Sequence, residues 1–555
     1  MSILQGSTHN SVHPTLYAFP SDNLTTTDRE MKNTTRTATV WAAAAVCAMA
    51  WTHGVVCCAT VYSAENRAET RTIERARKAI EAAAPRAARD PTRPGFHLLP
   101  PAQWMNDING GFYYRGWHHL FYTMIPWTDG YGQKYLVRGG TGHGWGHARS
   151  KDLIHWEHLP PALLPDEHTR SDQDASGHAF LDAHRDKPIL FFAKTFYDER
   201  GRMRRPREQW AALPLDDELI RWRRVDIGLA PGKSGVPANI PGGWADMSVF
   251  QEAGRTFAIF KSSGGLLVEA QNEELTEWKA VGRIPHVDGE CPNLFKLDGR
   301  YVLVRSTYPI SYIVGEFCAD DLAFRVGENP VRTLDYGYGP RMPSGLHRGL
   351  YGTRTFEDAQ GRSVLMGWVS GFKEGRGWNG CASLPRVLSL TDDDRLIQTP
   401  LPELARLRDR TSAWKGALDD EGRILPGVRG NMLEVQARFR PGSAGAVGLK
   451  LCPEGREEGS IAVRLAGADL DVAGTRVPDA LSADGTLKLH LFFDRSVLEV
   501  FNDGGRTSVT KVVYPPEGAD LVVEAFAEDG DAEVLSLAAW TMKSIWDNQG
   551  GEDSP

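Results

Sequence analysis

From His97 onward, apolar and polar positions alternate in short runs bounded by glycine, aspartate and asparagine, a pattern that predicts strands and tight turns. Two cassettes recur. One is a polar turn followed by an apolar strand ending in small or polar residues: His118–Thr123, Pro188–Lys194, Thr256–Lys261, Tyr301–Ser306 and Ser363–Trp368. The other is an acidic residue, a leucine, two further residues and an aromatic: Asp152–Trp156, Glu218–Trp222 and Glu274–Trp278, with a looser copy at Asp321–Phe324 and a fainter fifth near Asp394. Five copies at roughly 45–70-residue intervals predict a five-bladed β-propeller, one sheet per copy around an axis. An array of sandwiches would use the same strands without making them converge.

Past the propeller, Pro400–Arg408 reads as a short helix-like linker. A second strand-rich region follows, clearest at Lys488–Phe501 with the turn Asn502-Asp503-Gly504-Gly505. The expected architecture is therefore all-β, a five-bladed propeller followed by a C-terminal β-sandwich. The expected segments are an N-terminal extension with a signal peptide (1–64), a helical tether (65–95), the propeller (96–400), a linker (401–411), the sandwich (412–546) and a loose tail (547–555).

Upstream, an Ala-rich apolar stretch from Val40 to Val61 follows Met31, Lys32 and Arg36. This is the layout of an export signal, with small residues near Ala59 or Ala64 as cleavage points and Met31 as an alternative start. The competing reading is a membrane anchor over residues 40–61. Thr52-His53-Gly54 cuts the apolar run below the ~20 residues a span requires, so no span is expected in the mature chain. Residues 65–90, rich in Ala, Arg and Glu, read as a short exposed helix or tether.

Composition narrows the function. The 555 residues are 41% hydrophobic and 24% charged with a net charge of −8, which argues against a nucleic-acid partner. Sixteen tryptophans and fifteen tyrosines suit carbohydrate stacking, although aromatics mostly build cores. No P-loop, dinucleotide fingerprint or His-Glu-x-x-His motif occurs, and no cofactor is called for. Cys47, Cys57 and Cys58 lie in the leader. Cys291, Cys318, Cys381 and Cys452 are widely spaced and read as thiols without a disulfide framework. His143, His147 and His178 lack metal-ligand spacing and are expected in ordinary polar roles. Nothing specifies an oligomeric state.

The stretch that draws the eye is Trp104-Met105-Asn106-Asp107-Ile108-Asn109-Gly110-Gly111, where a tight turn can push Asp107 to the mouth of a pocket and Trp104 can offer a flat face to a sugar ring. Asp246 and Glu290 lie far downstream, and a propeller would bring all three together.

These residues resemble glycoside hydrolase family thirty-two, the invertases, inulinases and levanases, from about His97 to Trp546. Trp104–Gly110 is similar to the family's W-M-N-D-P-N-G, with Ile108 for Pro. Trp145-Gly146-His147-Ala148 with Ser150–Trp156 is similar to its W-G-H-A…S-x-D-L-x-H-W run, and Gly289–Pro292 to its E-C-P motif. Trp378-Asn379-Gly380 with Ser383–Arg386 resembles the ending of its propeller, and Asp494–Phe501 a strand of its sandwich. The resemblance implies a saccharide substrate and a retaining hydrolase of fructofuranosides such as sucrose, inulin or levan. Alternatives are an inactive carbohydrate-binding homologue or a fructosyltransferase. It implies Asp107 as nucleophile, Glu290 as acid/base and Asp246 as the residue holding ring hydroxyls. Such a retaining pair needs two carboxyls ~5–5.5 Å apart, one attacking the anomeric carbon and one protonating the leaving oxygen. The attacker must stay ionised, which Asn106 suits; the acid needs a raised pKa, and Cys291, Pro292, Leu294 and Phe295 give Glu290 apolar company. Trp104, Asn106, Thr123, Trp145, Ser176 and Phe372 fall where the family contacts substrate. The departures cluster in the donor-sugar pocket. Ala245 stands where the family has arginine, Met247 where it has proline, Thr123 where it has glutamine, and Phe372 where it usually has tryptophan. An unreplaced arginine donor would cost ~1.5–3 kcal/mol. The insertion Tyr131–Gly144 and the basic loop Arg202–Arg205 are the expected sources of a substitute, which would suit an anionic or otherwise decorated sugar.

Overall fold

The computed structural model describes residues 54–128, 142–165, 172–182, 184–197, 203–240, 244–261, 264–339, 348–454, 456 and 458–546. The leader up to residue 53 and the tail from 547 lie outside the described residues. A helix spans Gly54–Ala88. It is more than a free tether: Ile80, Ala83, Ala84 and Ala87 pack one face into the apolar core beneath the first blade. Among the described residues no helix is long and apolar enough to cross a membrane.

Five meandering sheets follow. Blade I comprises Gln103–Tyr114, Trp117–Ile125, Gly144–Ser150 and Trp156–Leu163. Blade II comprises Asp172–Asp182, Lys187–Tyr197, Met203–Pro214 and Trp222–Leu229, and blade III Ala245–Glu252, Arg255–Lys261, Leu266–Ala270 and Trp278–Arg283. Blade IV comprises Glu290–Leu297, Arg300–Ser306, Ile310–Cys318 and Ala323–Val326; blade V comprises Gly349–Glu357, Ser363–Ser370, Arg386–Leu390 and Leu396–Pro400. The first strand of each blade packs against the first strands of its two neighbours, closing a ring around an axis. Trp378–Asn379, beyond the second strand of blade V, pairs in parallel with Gln103–Trp104 and ties the last blade to the first.

The acidic-leucine-aromatic cassette is the turn into each outer strand. Leu153, Leu219, Leu275 and Leu322 all adopt left-handed backbone, with φ of 63°, 59°, 55° and 56°, and Asp394 repeats it at 56°. That conformation costs an L-residue about 1–2 kcal/mol. Burial of the leucines in blades I–III offsets it. The Trp222 and Trp278 indoles also donate back to the carbonyls of Leu219 and Leu275, at 3.0 and 2.9 Å.

A 3-10 helix, Pro402–Leu407, leads into two six-stranded sheets packed face to face around Leu433, Val435, Leu449, Leu491, Phe493 and Val523. Phe492, Val497 and Phe501 point the other way, into the core shared with blades I and V. This junction also buries charge. His97 Nδ1 lies 2.8 Å from Asp494 Oδ2 and its Nε2 3.2 Å from Glu499 Oε1. Arg386 donates to the other Glu499 oxygen at 2.6 Å and reaches Asp335 at 3.3 Å. Asp494 also accepts the amides of Gly95, Phe96 and His97. Burial alone would depress the His97 imidazole, but the two carboxylates outweigh it and hold the group up at about 9. Since this lies above the ordinary 6.5, the stabilisation is full below pH 6.5 and is lost as pH rises through about 9. Denaturant midpoints should therefore fall between pH 6.5 and pH 9.5, and His97→Gln should flatten that dependence.

Candidate active site

In all five blades the pairing between first and second strand is irregular at the same level, near the start of the innermost strand. The slips fall between Met105 and Gly110, between Ala175 and Gly177, opposite Asp246 between Ile259 and Lys261, between Glu290 and Asn293, and between Tyr351 and Arg354. Bulges of this kind re-aim side chains out of the ladder alternation. Here they re-aim Asp107, Ser176, Asp246, Glu290 and Tyr351 at one end of the axis. Asp246 and Cys291 take positive φ, 58° and 45°, a strain that clusters at functional sites.

The carboxylates meet there. Tyr351 donates its hydroxyl to Glu290 Oε2 at 2.8 Å. The next residue, Gly352, has no room for a Cβ, which would lie 2.6 Å from Asp107 Oδ1. Two successive residues of blade V thus touch two carboxylates that are 183 positions apart in the chain. Asp246 accepts the Cys291 amide at 3.0 Å, directly beside Glu290. Behind them, Ser176 donates to Asp107 Oδ2 at 2.6 Å, and Thr123 lies 3.3 Å from Ser176 and 3.1 Å from Asn109.

Arg354, buried on the axis below, supplies the floor. It donates to the Gly177 carbonyl of blade II at 3.0 and 3.2 Å, to Met247 of blade III at 3.1 Å, and to Pro292 of blade IV. Beyond this plug the channel reopens as a cavity of about 430 Å³ lined by residues such as Gln251, Asn293 and Asp358. None of the three carboxylates faces it; the chemistry-bearing groups lie at the opposite end.

The electrostatics differ from expectation. Burial, then the neighbouring Asp246 and Glu290, push Asp107 up to about 6 against the bond from Ser176. Burial and Glu290 also raise Asp246. For Glu290 burial is outweighed by the Lys261 ammonium, which bonds Oε1, and by Tyr351, so its carboxyl lies below the usual range. The expected acid is thus the more acidic of the pair. The physical reason is Lys261.

Sequence models of the "Glycosyl hydrolases family 32 N-terminal domain" and "Glycosyl hydrolases family 32 C terminal" match residues 97–400 and 403–541. The chain belongs to glycosyl hydrolase family 32. It is 28% identical to a levanase of Bacillus subtilis (strain 168), over 82% of this chain and 71% of the relative. It is 25% identical to a sucrose-6-phosphate hydrolase of the same strain, over 84% and 98%. Solved structures with this fold include a Bombyx mori GH32 β-fructofuranosidase mutant in complex with sucrose (TM-score 0.67, 24% identity, covering 84% of this chain and 98% of that one). Another is the sucrose-6-phosphate hydrolase of Lactobacillus gasseri (TM-score 0.69, 21% identity, 84% and 97%).

Against the family 32 pattern, several expected contact residues sit behind the funnel wall. Trp104 is fully buried, edge-on to Trp368 at 5.7 Å, with its indole on Asn106 Oδ1 at 2.9 Å; it offers no open face to a sugar. Trp145 is fully buried and donates to the Ala175 carbonyl at 3.1 Å. Phe372 lies in the core, 4.8 Å from Trp378, and is not brought to the carboxylates. Thr123 acts at one remove, through Ser176. A cation that the sequence did not single out stands beside Glu290: Lys261, the cross-strand partner of Ala245, where the family pattern has arginine. Residues 129–141 and Arg202 lie outside the described residues, while Arg205 is engaged by Glu208 and the ring of Phe196. His147 shares a contact with His119 at 2.9 Å, and His178 accepts the Val249 amide at 2.9 Å. Among the described residues no group of three His, Cys, Asp or Glu side chains is set to hold a metal ion.

Carboxyl titration by ¹³C NMR should find Asp107 near 6. A hydrogen bond to a charged group is worth about 1.5–3 kcal/mol, so Ser176→Ala should raise that value by about 1–2 pH units. Lys261→Met should raise Glu290 instead and leave the Asp107 hydrogen bond in place.

Proposed function

We propose that this family 32 hydrolase cleaves fructofuranosides with retention of configuration, taking oligo- or polysaccharide substrates of the kind its levanase and β-fructofuranosidase relatives are named for. The observation that carries the reading is the pair of contacts from Tyr351 and Gly352, which hold Glu290 and Asp107 at one funnel floor. Asp107 attacks the anomeric carbon as the glycosidic bond breaks, and the Glu290 proton passes to the leaving oxygen. Water then attacks the fructosyl ester, Glu290 takes the water's proton, and Asp107 leaves as carboxylate. Asp246 accepts from ring hydroxyls. Lys261 turns from Glu290 to the incoming sugar, in the role left open by Ala245, and this frees Glu290 to carry a proton. The apolar stretch after Lys32 and Arg36 supports export, so that the saccharide is met outside the cytoplasm.

The reactive form needs Asp107 ionised and Glu290 protonated. With Glu290 the stronger acid in the free enzyme, that form is a minor tautomer populated best between the two ionisations. The kcat/KM profile should therefore be bell-shaped with its maximum below pH 6, falling as pH rises past the Asp107 ionisation. Asp107→Asn should lower kcat by about 10⁴-fold while the fold persists. NMR of the first product should show the substrate's anomeric configuration; an inverted product would refute the double displacement.

A further inference from the structure

Below Arg354, four inner strands each carry one further polar residue. One position along from the carbonyl acceptors Gly177, Met247 and Pro292 come His178, Ser248 and Asn293, and one along from Arg354 comes Thr355. Side chains here pass hydrogen bonds from blade to blade. Asn109 of blade I accepts the Gly177 amide at 3.2 Å, and His178 of blade II the Val249 amide at 2.9 Å. Ser248 of blade III accepts the Leu294 amide at 3.4 Å, and Asn293 of blade IV the Thr355 amide at 2.8 Å. This belt fastens each inner strand to the next, which no sheet pairing does.

Those bonds also fix which atoms are left over. Burial and the Arg354 charge hold the His178 imidazole neutral, and its Nδ1 accepts, so the proton sits on Nε2. Asn293 Oδ1 accepts both the amide and, at 2.9 Å, the hydroxyl of Thr355, which turns Nδ2 away from that strand. His178 is 7% exposed and Asn293 1%, and both line the 430 Å³ cavity. Neither leftover N–H has an acceptor among the described residues. Around them the wall is apolar, with Ala179, Val249, Leu294 and Phe356. The carboxylates that line the cavity are committed or exposed: Asp358 accepts the Gln360 and Arg362 amides, both at 2.9 Å, and Glu357 is exposed. Burial keeps Arg354 below its usual value although Asp246 and Asp107 oppose it, so its charge is only partly compensated from the funnel side.

We propose that this end of the channel is a binding site for a small monovalent anion such as chloride, held by His178 Nε2 and Asn293 Nδ2 beneath Arg354. Hydrogen bonds to a charged acceptor are the stronger kind, and two buried donors without acceptors favour one. Two donors in apolar surroundings suit a weakly hydrated ion; sulfate or phosphate surrenders more hydration than two bonds return. The ion neutralises Arg354 from below as the carboxylates do from above, and so braces the funnel floor without meeting substrate.

Crystals of the full chain soaked in sodium bromide locate the site. An anomalous peak should lie within hydrogen-bonding reach of His178 Nε2 and Asn293 Nδ2. In solution, replacing gluconate by chloride at constant ionic strength should raise the thermal midpoint, by about 1–3 °C at ten times the dissociation constant. Asn293→Asp keeps an oxygen for Thr355 but exchanges the donor for a like charge, so the peak and the chloride dependence should both vanish. Water alone at those two nitrogens in the bromide-soaked crystal would overturn the site. So would a midpoint indifferent to chloride, or a chloride dependence that survives Asn293→Asp. If that variant does not fold, the bromide map and chloride titration of the parent decide alone.

Discussion

One guanidinium on the propeller axis holds the site together. Arg354 rises from the inner strand of blade V and donates to carbonyls of blades II, III and IV. A guanidinium has five donors in a fixed planar fork, which suits several carbonyls converging from different directions. The bulged strands would otherwise leave those carbonyls turned into a narrow dry channel, where an unpaired acceptor is costly. The charge matters as well. Burial disfavours the Arg354 cation, and Asp246 and Asp107 above it favour it. Cation and carboxylates thus lessen one another's desolvation without touching, so the floor and the reactive groups are energetically one unit.

The same geometry explains why the first strand pair of every blade is irregular at the funnel. Away from the axis, the leucine turns bury apolar side chains that offset their left-handed backbone. At the funnel every inner strand breaks step, and non-glycine residues accept left-handed backbone. A sheet that alternates strictly would point its carboxylates alternately up and into neighbouring blades. The irregularities let side chains from distant parts of the chain face one point, at a local cost that the packed blades absorb.

Much of this was legible in the sequence, for physical reasons that differ by residue. The leucine cassettes announced the blades because each is a local turn with its own chemistry. Asp107, Asp246 and Glu290 stood out because each follows a glycine or asparagine signal in a short motif. Trp104 and Phe372 misled, since an aromatic near a motif says nothing about which side of a strand it faces once a bulge intervenes. Lys261 was invisible because its meaning lies in being the cross-strand partner of Ala245, a matter of register. Arg354 was missed for a related reason: an arginine among buried strand positions, Thr353-Arg354-Thr355-Phe356, was the available signal, but its partners come from three other blades. The helix packing was hidden too, because Ile80 is joined there only by the small side chains of Ala83, Ala84 and Ala87.

The joint between propeller and sandwich follows a different logic from the funnel. Arg386, Glu499, Asp494 and His97 form a dry cluster in which each charge faces an opposite one, an arrangement that enforces one relative placement of two sheets more than it adds stability. The close approach of Gly352 to Asp107 has a quieter consequence. With backbone against its carboxylate on one side and Ser176 bonded on the other, Asp107 has few alternative rotamers. Little torsional entropy then remains to be surrendered when the side chain forms a covalent bond, so part of the ordering that the reaction demands is already complete when the chain folds.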